Sequence, residues 1–120
     1  MSNHLSEKLQ KKLAKEDIAI EDNDVRFTVT HLNNKGKVIG REWYKGYMAV
    51  TDVRMVLASE GVKFLNAKGS DERFSAVKFK EDNVACLEVR FNKEAGSKRG
   101  VVFHIYTSKV NKALKCIDKL

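Results

Sequence analysis

This 120-residue sequence has no proline, only two cysteines and no long apolar run. No window approaches the roughly 18 to 20 apolar residues that a membrane-spanning helix needs. The charged N-terminus, MSNHLSEKLQKKLAKED, also lacks the apolar stretch of a secretory signal. Together these absences predict a soluble protein located in the cytoplasm.

The two cysteines, Cys86 and Cys116, lie far apart in the sequence and outside any metal-ligand spacing. In a cytoplasmic chain this pattern favours buried, reduced thiols over a disulfide or a zinc site. Proline, low-complexity segments and internal repeats are also absent. The length is that of one ordinary domain, so a single core is expected.

Motifs of catalysis and cofactor binding are missing as well. His4, His31 and His104 have no Ser, Cys or paired carboxylate at a spacing that would make one of them a general base. No phosphate-binding or dinucleotide glycine pattern occurs, and His, Cys, Asp and Glu never cluster at metal-ligand spacing. The sequence therefore predicts no enzyme, no cofactor and no metal, and His104 is interpreted as a histidine on a sheet surface.

Positive charge is abundant by contrast. The 23 Lys and Arg residues exceed the 16 Asp and Glu residues and give a net charge of +7. Such a balance favours anionic partners, for example nucleic acid or an acidic membrane surface. The charges are interleaved along the whole chain, so a merely solubilising surface is the alternative to a binding face.

Apolar residues at helical spacing mark both ends of the chain. Residues 5 to 15 carry a narrow stripe at Leu5, Leu9 and Leu13. We expect this helix to pack loosely, as part of an N-terminal extension over residues 1–22. Near the C-terminus a wider stripe at Val110, Ala113, Leu114 and Ile117 predicts an amphipathic helix that covers a sheet, with Thr107 or Ser108 as its N-cap.

Between these helices the apolar pattern has the period of strands. From Asp24 onwards, inward positions at Val25, Phe27 and Val29 alternate with Arg26, Thr28 and Thr30. Similar alternation places Leu87, Val89 and Phe91 inward, then Val101, Phe103 and Ile105. Gly46 is expected to separate the strand VIGREWY from YMAV. Residues 23–120 are thus predicted to form one antiparallel domain.

The stretch GYMAVTDVRMVLAS predicts a tight hairpin, because only Thr51-Asp52-Val53-Arg54 separate two apolar strands. Asp52 is expected to accept a backbone hydrogen bond two residues on, and Thr51 to do so less strongly. Arg54 is expected to lay its methylenes on the sheet while its charge stays in water.

This hairpin resembles a segment of bacterial pleckstrin-homology and GRAM-type domains, in which a glycine opens a strand and Thr-x-x-Arg makes the turn. The matching positions are Gly46, Thr51 and Arg54, followed by the apolar run 55–57. The order of elements is also similar to that family. The resemblance implies a mainly β fold, a pleckstrin-homology-like bent antiparallel barrel of about seven strands with a C-terminal helix. Members of the family bind phosphoinositides, proteins or peptides.

The candidate binding residues lie around the first hairpin. Lys37, Arg41 and Lys45 are spaced by four, so a regular strand would place them on one face, and only a bulge near Gly40 would scatter them. Lys35 lies in the turn, on the rim that the family resemblance implies. Between Lys37 and Arg41 there are three residues, a spacing that departs from the lipid-binding pattern of the family.

Two adjacent aromatic residues, Trp43 and Tyr44, are either core or rim residues or the anchors of an interface. The first function that we expect is a non-catalytic binding module for a protein or peptide, with an acidic membrane surface as the second partner. No small-molecule substrate is expected.

The alternative function is a basic nucleic-acid-binding domain that uses sheet-surface charge. Aromatic residues occur near basic ones on the strands, namely Phe79, Phe91 and Tyr106 near Lys78, Lys80 and Arg90. Because Phe91 belongs to an inward set and Phe79 shares a face with Val77, core packing is the favoured interpretation of these rings.

Overall fold

The computed structural model describes residues 5–81, 84–94 and 96–120. Within them the elements follow in the order α1 (Glu7–Leu13), β1 (Ile18–Leu32), β2 (Val38–Thr51), β3 (Arg54–Ser59), β4 (Val62–Lys68), β5 (Phe74–Glu81), β6 (Val84–Asn92), β7 (Gly100–Tyr106) and α2 (Val110–Asp118). None of the helices in these residues is long and apolar enough to cross a lipid bilayer.

The strands form one antiparallel sheet in the order β4-β3-β2-β1-β7-β6-β5. Neighbours along the chain pair with each other except β4 and β5, which are the two edges, while β1 pairs with both β2 and β7. The sheet curls into a half-barrel, and α2 packs against its inner face. The predicted fold class is therefore confirmed: a bent antiparallel sheet of seven strands with a C-terminal helix and a short N-terminal one.

The core fills the inner face of the sheet, as the alternation of the strands predicts. Val25, Phe27 and Val29 of β1 are buried there, together with Phe103 and Ile105 of β7. The start of β1 differs from the prediction, because the strand begins at Ile18 and Ile20 already belongs to the core. The expected boundary between residues 22 and 23 thus falls inside β1.

Gly46 does not interrupt a strand, contrary to the expectation from the sequence. β2 runs through it without a break, pairing Gly46 with Val25 of β1. A Cβ atom at this position would overlap the carbonyl oxygen of Ala58 and approach the ring of Phe27 to 3.1 Å. Glycine is required here because the backbones of two strands and a core ring meet without room for a side chain.

Helix α1 packs more tightly than expected and on the opposite side of the sheet from α2. Ser6 caps it, its Oγ accepting a hydrogen bond from the backbone N–H of Leu9 at 3.3 Å. Leu9 and Leu13 are buried against Tyr47 and its outward-facing neighbours Ala49 and Val56 on β2 and β3. The narrow apolar stripe of α1 is sufficient to hold the helix on the sheet because the surface that it covers is apolar as well.

The corner between β2 and β3 is the predicted hairpin, but Thr51 stabilises it. The buried Thr51 Oγ1 accepts hydrogen bonds at 3.0 Å from the backbone N–H groups of Val53 and Arg54. Asp52 instead accepts a hydrogen bond from the backbone N–H of Asp17 at 3.2 Å, across 35 positions of sequence. The prediction for Asp52 was therefore wrong, because its carboxylate bridges to the segment before β1 rather than along its own turn.

The guanidinium of Arg54 is not left in water, which corrects a second expectation at this corner. Its Nη2 lies 2.8 Å from Oε2 of Glu16, and the side chains of these two residues are only 15% and 10% exposed. Glu16 also accepts a hydrogen bond from Thr51 Oγ1 at 2.7 Å. The threonine and the arginine of the corner therefore hold the same carboxylate, which ties the end of α1 to the sheet.

Helix α2 buries Val110, Ala113 and Ile117, whereas Leu114 is only half-buried at the edge of the core. Its N-cap is Lys109, without a side-chain capping bond, so the predicted cap at Thr107 or Ser108 was wrong. Thr107 lies two residues before this N-cap, where its Oγ1 accepts a hydrogen bond from the backbone N–H of Lys109 at 3.2 Å. The same hydroxyl donates a hydrogen bond to Asp22 at 2.8 Å and so ties the start of α2 to β1.

Both cysteines are reduced thiols in the structure. Cys86 is buried, whereas Cys116 on α2 is half-buried beside the core.

Candidate functional site

The six candidate binding residues do not form one surface. Lys35 and Lys37 lie in the turn between β1 and β2, where the side-chain oxygen of Asn33 accepts hydrogen bonds from both of their backbone N–H groups, at 2.9 and 3.0 Å. The pairing of β1 with β2 shifts register beside Gly40, where the sequence left room for a bulge. Lys37 is thereby separated from the regular part of β2 that carries Arg41 and Lys45.

Beyond the bulge β2 alternates regularly, and its residues divide between the two faces of the sheet. Tyr44 pairs with Phe27 and packs inward, 5.7 Å from that ring and 4.6 Å from the ring of Phe64. Tyr44 is thus a rim residue of the core, which is one of the two interpretations that the sequence left open. Its neighbours Trp43 and Lys45 are exposed on the outer face.

Tyr44 and Glu42 form a hydroxyl–carboxylate pair at the inner rim of the sheet. The hydroxyl of Tyr44 donates a hydrogen bond of 2.6 Å to Glu42, whose other carboxylate oxygen lies 2.9 Å from Nε2 of His31. The hydrogen bond from Tyr44 lowers the pKa of Glu42, with a further lowering by His31, and in return Glu42 raises the pKa of Tyr44. These exposed groups satisfy one another and leave no activated nucleophile among them.

The outer face carries a second, continuous set of side chains across five strands. Directly opposite residues of paired strands lie on the same face, so the register defines rows that cross the sheet. The rows contain Lys45, Arg26 and Tyr106; then Trp43, Thr28, His104, Glu88 and Val77; then Arg41, Thr30, Val102, Arg90 and Ser75. Phe79 lies two residues beyond Val77 on β5 and belongs to the same face. We name the surface of Arg26, Arg41, Trp43, Lys45, Phe79, Arg90, His104 and Tyr106 the cationic-aromatic face.

Its rings form two contacting pairs. The indole of Trp43 stacks on Tyr106 with 5.7 Å between ring centroids and an angle of 16°, and it is 64% exposed. The ring of Phe79 lies 5.2 Å from the imidazole of His104. Because His104 and Tyr106 are alternate residues of β7, the two pairs are neighbours and form one band of rings from β2 to β5.

Cations surround this band. Arg41 donates a hydrogen bond from Nε to Thr30 Oγ1 at 3.1 Å, which fixes its direction along the sheet. Glu88 is the carboxylate of the three rows, and it is engaged by His104 at 3.1 Å and by Arg90 at 3.9 Å. Four basic residues thus lie on the face with one carboxylate, which Arg90 itself engages, so the rows carry an excess of positive charge.

Thr28 lies at the centre of the face, between Trp43 and His104. Its hydroxyl is buried and has no hydrogen-bond partner within the part of the chain that the structure describes. An unsatisfied buried polar group is uncommon in native proteins.

Sequence reasoning named most residues of this face separately but did not bring them together on one surface. The interpretation of Phe79 as a core residue was wrong, because Val77 and Phe79 both point outward from edge strand β5. Phe91 does pack against the core, as predicted. The signal for Tyr106 was present in the sequence, since the inward set Val101, Phe103 and Ile105 leaves the alternate residues of β7 on the outer face. His104 is on the sheet surface, as expected.

The basic residues expected beside these rings are divided between the two faces. Lys78 and Lys80 pair with Leu87 and Ala85, on the side opposite to Phe79, whereas Arg90 remains on the cationic-aromatic face. The face therefore takes its positive charge from β1, β2 and β6 rather than from β5.

A second basic feature is a cleft of about 540 Å³ at the start of α2, lined by Lys78, Lys109 and Lys112. Two of these lysines are engaged within the protein: Lys109 Nζ donates to the carbonyl oxygen of Glu21 at 2.8 Å, and Lys78 Nζ donates to the side chain of Asn111 at 3.2 Å. The cleft therefore consolidates the packing of α2 and offers fewer unengaged charges than the cationic-aromatic face.

The described residues contain no group of three or more His, Cys, Asp or Glu side chains that would hold a metal ion. Comparisons with protein-family models, with curated proteins and with solved structures find no match to this chain.

Proposed function

We propose that the protein is a non-catalytic binding module that recognises an anionic partner through the cationic-aromatic face. The observation that carries this proposal is the combination of exposed rings and cations in one register-defined surface. Trp43, Tyr106 and Phe79 expose apolar area to water. The four basic residues beside them share the surface with a single carboxylate, that of Glu88.

Trp, Tyr and Arg are the residue types that contribute most to binding energy at interfaces. A protein or peptide partner, the first expectation from the sequence, would meet this face with an acidic segment. An acidic membrane surface and a nucleic acid carry the same sign of charge, so a common first test applies to all three.

The test measures whether anion binding is localised. Arg41→Gln/Lys45→Gln removes two charges from the cationic-aromatic face, and Lys11→Gln/Lys12→Gln removes two from the exposed side of α1. The two variants have the same net charge, so any difference in their affinity for heparin at low salt reports position rather than total charge. We expect the variant of the face to elute at clearly lower salt than the variant of α1.

A third pair, Lys35→Gln/Lys37→Gln, tests the first hairpin in the same way. Equal loss in all three variants would show that the charge is only solubilising and would overturn the proposal. A loss confined to the hairpin pair would move the site to the β1–β2 turn.

A further inference from the structure

We infer that the anionic partner is a single-stranded nucleic acid whose bases stack on the band of rings while its phosphates contact the surrounding cations. This inference rests on the proposed function and adds the class of the partner. Stacking on exposed aromatic side chains, combined with backbone contacts from basic ones, is the general chemistry by which sheets bind single strands.

The stack of Trp43 on Tyr106 offers a surface on which a base can stack. The two rings are within 16° of parallel, and the indole is 64% exposed. A third planar ring can therefore extend this stack over Trp43 without rearrangement of the sheet. Phe79, on the other side of His104, offers a second stacking position in the same band.

The cations lie in rows beside the Trp43 row, where they can contact phosphates. Lys45 and Arg26 lie in the row beside the Trp43 row on one side, and Arg41 and Arg90 lie in the row on the other side. Charges therefore flank the row of Trp43 and His104 on both sides, and on one side they share a row with Tyr106. A chain that alternates planar bases with phosphates is complementary to both features at once.

Other occupants use only part of this surface. The bases of a duplex present no open ring faces, so duplex binding would leave the rings unused. Insertion into a bilayer would carry Arg26 and Lys45 towards the hydrocarbon together with the rings, which is costly. A second copy of the chain would bring like charges together on a protein of net charge +7.

The experiment uses the fluorescence of Trp43, the single tryptophan of the chain. The full-length protein is titrated at low salt with an oligothymidylate of about 12 nucleotides and with an abasic oligomer that has the same number of phosphates. We expect the thymidylate to quench Trp43 and to bind about tenfold more tightly than the abasic oligomer, since stacking is the difference between the two ligands. The affinity should fall with added salt.

Two variants locate the stacking. Trp43→Leu leaves the chain without tryptophan, so its binding is followed by the fluorescence anisotropy of dye-labelled oligomers, as is that of the unmodified protein for comparison. This variant should reduce the preference for thymidylate over the abasic oligomer to about twofold or less while it leaves abasic binding nearly unchanged. Val62→Ala, which shortens an exposed apolar side chain on β4 outside the face, should change neither affinity. Phe79→Leu should reduce the same preference, because it removes the second stacking position.

The outcomes separate this inference from the proposed function. Equal affinity for the two oligomers, with binding still sensitive to Arg41→Gln/Lys45→Gln, would overturn the single-strand inference and leave an anion-binding face. A blue-shifted Trp43 emission with vesicles of anionic phospholipid, without quenching by thymidylate, would overturn it in favour of a membrane surface, and tighter binding of an oligoglutamate peptide in favour of an acidic protein. No binding of any of these anions at low salt would overturn the proposed function as well.

Discussion

The carboxylate of Glu16 and the guanidinium of Arg54 form a bidentate ion pair across 38 positions of sequence, with N–O distances of 2.8 and 3.1 Å. Both side chains are largely buried, and Thr51 donates a third hydrogen bond to the same carboxylate. Removal of one partner of a buried pair leaves the other charge without compensation. The arginine of the corner is therefore a structural residue that fixes the N-terminal segment to the sheet.

We expect Glu16→Gln to lower the free energy of unfolding by about 3 kcal/mol, because Arg54 would keep its charge in a site with little water. Urea denaturation measures this loss. Glu7→Gln, which removes an exposed carboxylate from the first turn of α1, should cost no more than about 0.5 kcal/mol. The double variant Glu16→Leu/Arg54→Leu should be more stable than Glu16→Gln, and a result in the opposite order would contradict the role assigned to the pair.

Gly46→Ala should destabilise the protein by about 3 kcal/mol or more, because the new Cβ overlaps the backbone of Ala58 in the neighbouring strand. Gly40→Ala is the matched control on the same strand. Its Cβ would meet only the ring of His31, at an ordinary 3.9 Å. Thermal melts of the two variants should differ widely, and similar melting temperatures would show that the sheet adjusts at Gly46.

Ile117→Ala should cost about 2 to 5 kcal/mol, since Ile117 is buried in the core between α2 and the sheet. Leu114→Ala should cost clearly less, because Leu114 is only half-buried. The difference in urea midpoints between the two variants measures which side of α2 faces the core. An equal or larger loss for Leu114→Ala would mean that the helix is rotated from the position described.

Tyr47 should make the stability fall at alkaline pH. Burial, and secondly its hydrogen bond to Glu21, raise the pKa of this hydroxyl above its ordinary value of 10.0. The unfolded chain therefore loses the proton first, so the contribution of Tyr47 is complete below pH 10.0 and is lost as the pH rises above it.

Tyr47→Phe removes that titration together with the hydrogen bond. We expect a loss of about 1 kcal/mol at neutral pH and a shallower decline in the free energy of unfolding above pH 10 than in the unmodified protein. Urea unfolding across the alkaline range compares the two slopes. Because all other titrating groups are common to both proteins, parallel slopes would exclude Tyr47 as the source of the pH dependence.

Local periodicity was sufficient to predict which residues of a strand face the core. Val25, Phe27 and Val29 alternate with Arg26 and Thr28, and this pattern depends only on the pleat of one strand. The same argument correctly placed Phe91 inward. The class of the fold could be predicted because most of its strands show the pattern.

Features that depend on which strands become neighbours could not be predicted in this way. Trp43 and Tyr106 meet only because β7 pairs with the far side of β1, a contact between distant parts of the sequence. Phe79 was predicted to lie in the core because the sequence of β5 does not reveal which of its faces is covered. The structure pairs Phe79 with Cys86, which is on the face of β6 opposite to the core residue Leu87, so Phe79 lies on the outer face. The cationic-aromatic face is thus a product of register, which the sequence does not display.

The position of β1 between β2 and β7 also determines how the chain reaches this structure. Hairpins such as β2–β3 and β6–β7 close over short loops, but the pairing of Arg26 with Tyr106 must bring together residues from nearly opposite ends of the chain. Pairings of such sequence separation are slow to form because loop closure costs entropy before contacts repay it. Folding should therefore be limited by the docking of β1 on β7, with a time constant of about milliseconds to seconds. Strand β1, which lies at the centre of the cationic-aromatic face, would then pair with β2 first and with β7 last.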